Sequence, residues 1–423
     1  MEAFKYRKGE LFCDGVSISQ IAREVGTPCY VYSRQRMESN LNAVEEALSG
    51  VNHLVCYALK ANGNLNLLKI LADRGCGADV VSGGELRLAL KAGIPSNRIV
   101  FAGVGKMDAE IEEAISRHIL SIHVESFEEL GIIDGIARKM GKVASVAIRV
   151  NPDIDAKTHP YITTGLKESK FGIDITRARE AFRQAASMGG LRMEGIHCHI
   201  GSMVMDKEPY VEAAASLVGL LKDLKRAGIS LRYADMGGGL GVDCSRIVDD
   251  GLQSGDARRA PTPKALFTEI LPFFDGLGIK ILFEPGRYLI ADAAALIARV
   301  TLTKTTGRHK FVVVDAGMND FMRTCLYNAT HQIVAVEENR TDAEKVSVVG
   351  PVCESGDFFS KERLLPPVER GSLLAVMATG AYGYALSSNY NGRMRPAEIL
   401  VEDDSFRVIR KRERMEDLWR GIV

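Results

Sequence analysis

Eight apolar runs of strand length, spread over residues 53–287 and separated by stretches of helical periodicity, constrain this chain more than any other feature. The runs fall at His53–Lys60, Ala78–Ser82, Ile99–Val104, Leu120–Glu125, Val143–Asn151, Met193–Gly201, Tyr233–Gly239 and Ile279–Arg287. Between them apolar residues recur at i, i+3 and i+4, as in Leu67/Ile70/Leu71, Ile111/Ala114/Ile115 and Leu217/Leu220/Leu221/Leu224. That spacing lines one face of a helix. Eight strands with helical segments between most of them predict a (β/α)8 barrel of the TIM type. A doubly wound open sheet fits the same periodicity, which carries no information about closure.

The pattern changes after Arg287. Short strand-like runs follow at Ala294–Thr303, Lys310–Asp315, His331–Val336, Lys345–Val349, Leu373–Ala378, Glu398–Val401 and Arg407–Arg412, with few helical periods between them. This half reads as all-β, a barrel or sandwich. The first residues, with a small amphipathic helix around Ile18, Ile21 and Val25, have no partner in a closed barrel and are assigned to the same domain. A chain of 423 residues is too long for one core. The expected domains are a barrel over 32–284 and a β domain built from 1–31 and 285–423.

Charge narrows the function classes. With 54 basic residues against 54 acidic ones, the chain has no electrostatic reason to bind nucleic acid or an anionic membrane. No apolar run approaches the ~20 residues of a membrane span, and Met1–Arg7 lacks a signal peptide's apolar core. Eight cysteines without CxxC pairs or a Cys/His ladder indicate neither a disulfide framework nor a zinc site. The expectation is a soluble cytoplasmic protein with reduced thiols and no metal.

The chemistry-bearing residues cluster at the C-terminal ends of the strand-like runs. They are Lys60, Asp79 with Ser82, Asn151, His197 and His199 with Ser202, Gly237-Gly238-Gly239, and Glu284-Pro285-Gly286-Arg287. In a parallel barrel these ends meet at one mouth, where such enzymes place their sites. Lysine in such a place shifts its pKa readily and suits Schiff-base work. The glycines allow an anion nest, although GGGLG does not match the dinucleotide fingerprint GxGxxG. His197 and His199, two apart on a strand, point the same way, but no third metal ligand stands near in sequence. One ring stacked on a cofactor, with Ser202 on its phosphate, fits better. Glu284 needs a partner, and a protonated pyridine nitrogen would provide one, worth about 4 kcal/mol or three pKa units at ~4 Å. The long irregular stretch Pro152–Phe171 leaves from the same face and reads as a lid or binding loop.

The segments YALKAN, GADVVSGGEL, THPYITTGLKESKFGID, HCHIGS, GGGLG, EPGRY, VDAGMND, GPVCESGD, GAYG and SSNYNGR run nearly end to end and in order. Together they closely resemble the diaminopimelate decarboxylase family of fold-type III pyridoxal-phosphate enzymes. The resemblance implies an alanine-racemase-like barrel plus β domain, acting as a homodimer with shared active sites. It implies that Lys60 carries the cofactor as an internal aldimine, that His199 stacks on the ring, and that Glu284 pairs with the ring nitrogen. Ser202, the three glycines and Tyr382 would serve the phosphate end, with Asp79, Gly286 and Arg287 completing the cofactor set.

Around the substrate the family pattern implies Arg287, Arg323, Tyr327, Glu354 and Tyr382. It makes Cys353 the proton donor, with Cys353-Glu354 supplied by the partner subunit. Arg323-Thr324-Cys325-Leu326-Tyr327 departs from the family's usual Arg-Pro-Ala-Leu-Tyr, and Tyr384 stands where phenylalanine is common. The implied reaction takes meso-2,6-diaminopimelate to L-lysine and CO2, the last step of lysine biosynthesis. The alternative is decarboxylation of ornithine, arginine or lysine on the same scaffold. A site with Arg323 awaiting a distal carboxylate disfavours these by roughly 2–5 kcal/mol. A non-catalytic homologue would have no need of Lys60, Glu284 and Cys353 together, and a racemase no evident need of the Cys353-Glu354 pair.

Overall fold

The computed structural model describes residues 2–423 apart from 157, 160, 162, 163, 166–168, 251–259 and 339–341. The described chain divides into two compact units. One comprises Leu41–Gly241 and Ala260–Gly286, the other Met1–Asn40, Val242–Arg259 and Arg287–Val423.

The first unit is a closed parallel barrel. Its strands are His53–Ala58, Gly77–Val80, Ile99–Phe101, Ser121–Val124, Ala144–Asn151, Leu191–His197, Tyr233–Asp235 and Lys280–Phe283. Each pairs in parallel with the next, and the last returns to the first, Ile281 opposite His53 and Phe283 opposite Val55. That pairing decides for the barrel over the open sheet. A two-residue strand, Ile173–Asp174, adds to the side of Ala144–Asn151. The strands read as continuous apolar runs because both faces are covered: in HLVCYA only the first residue is not fully buried.

Helices start where the strands stop. Ser82 caps Gly83–Lys91 by accepting from the Glu85 N–H, Ser126 caps Phe127–Lys139 in the same way, and Asn64 caps Leu65–Asp73. Several sequence runs overshoot their strands into these turns. Lys60 itself lies one turn past its strand, in the short helix Leu59–Ala61, rather than on the strand. Of the stretch Pro152–Phe171, read above as a lid, residues 157, 160, 162, 163 and 166–168 lie outside the described residues.

The second unit is a sheet domain. Its strand order is Phe358–Leu365, Glu344–Val349, His309–Val314, Ala294–Thr306, Cys29–Ser33, Ala397–Glu402 and Ser405–Arg410. Leu373–Met377 joins through Ala294–Thr306 and pairs with Ile333–Ala335. A small meander, Phe4–Arg7, Glu10–Cys13 and Val16–Ser17, leads into helix Ile18–Val25, whose Ile18 and Ile21 reach the core formed with Val31, Ile297, Met377 and Ile399. The N-terminal strand CYVYS is buried at all five positions, paired with Ala294–Thr306 on one side and Ala397–Glu402 on the other. The strands of the N-terminal segment, the short Ile173–Asp174 and Phe358–Leu365 escaped the sequence reading. Phe358–Leu365 carries Ser-Lys-Glu-Arg at its centre and stays largely accessible, so it shows no apolar run. No helix among the described residues is long and apolar enough to cross a membrane.

Candidate active site

The barrel unit gathers Lys60 and its neighbours at the C-terminal ends of the strands. Lys60 Nζ donates to Asp79 Oδ2 at 2.6 Å; the Asp79 side chain is fully buried and that of Lys60 is 35% accessible. Burial lifts the Asp79 carboxyl, the charge of Glu284 lifts it further, and the Lys60 ammonium pulls it down, leaving it at about 6.

Glu284 follows strand Lys280–Phe283, and its N–H donates to Gly237 O at 2.7 Å. Its carboxylate is buried beside two imidazoles, with Oε2 3.3 Å from His197 Nε2 and Oε1 3.8 Å from His123 Nδ1. Glu284 Oε1 has no hydrogen-bond partner among the described residues. Burial holds both histidines well below their ordinary pKa, so both rings are neutral.

His199 does not share the surroundings of His197. It lies past the strand end and accepts from the Gly238 N–H through Nδ1 at 3.1 Å, which leaves the ring proton on Nε2. Burial, then the positive charge of Lys60, keeps this ring neutral as well. The expected pair of like-pointing histidines is thus split between two environments. Ser202 lies in the turn beyond His199, partly buried.

The three glycines contribute room. Gly237 and Gly239 have φ of +63° and +94°, a region that favours glycine. A Cβ at Gly238 would overlap the Glu284 carbonyl, and one at Gly239 the Gly201 carbonyl. The N–H groups of Gly237 and Gly238 are engaged by Asp235 Oδ1 and His199 Nδ1, so the turn offers fewer anion donors than the sequence suggests. Gly286 packs against Ala58 and Ala61, where an added Cβ would sit 3.1 Å from each methyl.

The sheet unit gathers the arginines. Arg287 lies over the Tyr382 ring at 4.7 Å, and Arg323 over the Tyr327 ring at 5.7 Å. Both guanidiniums are buried. Arg323 Nε donates to His331 Nε2 at 3.4 Å, and His331 Nδ1 bonds the Met377 carbonyl at 2.8 Å. Burial first, then the like charge of Arg287, lowers Arg323 to about 10. Among the described residues no carboxylate forms an ion pair with Arg323. Cys353 and Glu354 are exposed on the loop between Glu344–Val349 and Phe358–Leu365. Asp357 shapes that loop by accepting from the Val352 and Met318 N–H groups. The Cys353 N–H donates to Asn391 Oδ1, and Glu354 bonds the Tyr390 hydroxyl.

Sequence reasoning missed His123 and Asp235. Each is an ionisable residue in a buried strand, SIHV and YAD, and that was the available signal. His123, His197 and Glu284 offer ligand-type atoms within 4.8 Å of one another. A cation there would take Glu284 from any cofactor nitrogen, so the two uses compete.

These residues fit pyridoxal phosphate. They supply a partly accessible amine, a buried carboxylate with an unsatisfied oxygen, a neutral ring beside a glycine turn, and room for close approach. The family model for the pyridoxal binding domain of pyridoxal-dependent decarboxylases matches residues 34–291. Diaminopimelate decarboxylase of Aquifex aeolicus is 46% identical over 97% of this chain and 94% of its own. The crystal structure of diaminopimelate decarboxylase from M. jannaschii is similar with a TM-score of 0.93 at 38% identity, covering 100% of this chain and 98% of that one. The enzyme from Helicobacter pylori, complexed with L-lysine, gives 0.89 at 44% identity over 95% and 98%.

Proposed function

The chain belongs to the diaminopimelate decarboxylases, pyridoxal-dependent lyases, and from that premise we propose how its residues divide the reaction. The enzyme converts meso-2,6-diaminopimelate to L-lysine and CO2, the last step of lysine biosynthesis. Pyridoxal phosphate, when bound, supplies the electron sink for the electron pair of the broken Cα–carboxylate bond.

The rest is the work of the chain's own residues. Lys60 offers the amine that anchors the cofactor, and Asp79 holds that amine in place. Glu284 would pair with the ring nitrogen and hold its proton, which would strengthen the sink. His199, neutral and tied through Nδ1 to Gly238, would stack on the cofactor ring. Ser202 and the glycine turn would hold the phosphate end, a role the family resemblance also gives to Tyr382. Arg323 and Arg287, with Tyr327, read the carboxylate of the substrate's distal centre, the one that stays. Cys353 delivers the proton that replaces CO2, and with Glu354 it comes from the second subunit of a cytoplasmic homodimer.

One observation carries the choice of substrate. Arg323 is a buried guanidinium beside another arginine, lowered to about 10, with no carboxylate ion-paired to it among the described residues. Such a group is costly until an anion arrives. Diaminopimelate brings one; ornithine and lysine, once their own carboxylate is at the reacting end, do not. CO2 release should therefore favour meso-diaminopimelate over ornithine by at least about thirtyfold, the lower end of the 2–5 kcal/mol range for such pairs. Arg323→Leu should erase most of that preference by raising KM for diaminopimelate alone. Equal turnover of both substrates by the native enzyme would favour the general basic-amino-acid reading.

A further inference from the structure

His123 has no part in the roles above, yet it touches the residue on which they depend. It sits fully buried on strand Ser121–Val124. Its ring lies against that of His197 with centroids 4.4 Å apart and a 30° tilt. The two nitrogens face different partners. Nε2 lies 3.3 Å from the Tyr233 hydroxyl, which also bonds Ser121 Oγ, and 4.0 Å from Asp235 Oδ2. Nδ1 faces Glu284 Oε1 across 3.8 Å, and both atoms are buried with no hydrogen-bond partner among the described residues. Two opposed orphans of this kind are costly apart and cheap together.

A neutral imidazole has one proton to place. Burial, with His197 adding to it, keeps His123 neutral. Where Ser121 Oγ donates to the Tyr233 hydroxyl and that O–H donates on to Nε2, the proton falls on Nδ1, the nitrogen that faces the carboxylate. We propose that His123 is a positioning residue for the reaction, whose Nδ1 side faces the Glu284 carboxylate and orients it toward the cofactor's ring nitrogen. His197 bounds the same carboxylate from the neighbouring side, and Tyr233 with Ser121 fixes the ring. The inference rests on the reading of Glu284 as the ring-nitrogen partner.

The test separates the two. Cofactor-free protein is titrated with pyridoxal phosphate and with an analogue carrying C–H in place of the ring nitrogen. His123→Leu should weaken pyridoxal phosphate about tenfold, the scale of leaving a buried carboxylate oxygen without its polar neighbour, and leave the analogue unchanged. His123→Asn, whose amide puts an N–H close to where Nδ1 stood, should restore the affinity. Should His123→Leu fail to fold, His123→Gln, with its amide nearer the place of Nε2, should show the same discrimination. Glu284→Gln should discriminate between the two compounds as well. Equal losses for both compounds in the His123 variants, or none, while Glu284→Gln still discriminates, would overturn the role of His123. Failure of Glu284→Gln to discriminate would instead overturn the reading beneath it.

Discussion

Lys60 donates to a carboxylate that has no exposed surface, Asp79, across 2.6 Å. The amine is therefore stored as a charged partner before it meets the cofactor. Removing one member of such a pair leaves the other buried and uncompensated. Lys60→Ala should abolish the cofactor's attached absorbance and the activity, and destabilise the cofactor-free protein by about 2 kcal/mol, a value reduced because the lysine is partly accessible. Adding Asp79→Asn should recover most of that stability in denaturant unfolding. Turnover by Lys60→Ala without added amine would show that another lysine carries the cofactor.

The same carboxyl gives the stability a pH dependence. Asp79 holds its proton in the folded chain up to about 6, against 3.8 for the ordinary group. Between those values the folded state binds the extra proton, so its stability falls as pH rises, by about 1.4 kcal/mol per unit at most. Above the window the loss is complete and the slope disappears. Unfolding of the cofactor-free native chain and of Asp79→Asn, measured side by side, should show this slope in the first and not in the second. Parallel curves would refute it.

Gly238→Ala probes the glycine turn. Its Cβ would overlap the carbonyl of Glu284, and the backbone on both sides belongs to the barrel mouth, so relief has to move Glu284. The variant should lose cofactor affinity by more than tenfold even if it folds. Equilibrium dialysis with pyridoxal phosphate measures it, and native-like affinity would mean that the mouth yields without moving its carboxylate.

The exposed Cys353-Glu354 pair leads to a mixing experiment. If each monomer's site is completed by its neighbour's Cys353, then Lys60→Ala and Cys353→Ala, both inactive alone, should restore activity in hybrid dimers. With random equal exchange about half the dimers are hybrids and each has one competent site, so about a quarter of native activity should return. Silence after demonstrated exchange would place both residues in one chain's site.

What the sequence disclosed follows what burial does to composition. Barrel strands covered on both faces are apolar along most of their length, so His53–Ala58 and its counterparts stood out, and the closing residues of those runs marked the mouth. Phe358–Leu365 has no such need, being accessible along much of its length, and left no mark. The proximity of His197 and Glu284 was invisible for another reason. Periodicity places residues along a strand, whereas this contact depends on how separate strands line up around the barrel. His123 and Asp235 were lost in the same way, as polar interruptions of apolar runs whose partners lie on other strands. The outward set of Cys353 depends on Asp357 accepting two backbone N–H groups, which no spacing rule predicts.

The pairing of Cys29–Ser33 with Ala294–Thr306 and Ala397–Glu402 has a consequence for synthesis on the ribosome. This interior strand of the sheet is translated before the barrel, and both of its flanking strands are translated after it. The barrel can close while CYVYS still has both hydrogen-bonding edges bare, and an apolar strand in that state is open to pairing with other chains. A nascent chain halted after Gly286 should therefore carry a folded barrel and a sticky leader. Slowing elongation beyond that point should cost yield through aggregation of that leader rather than through damage to the barrel.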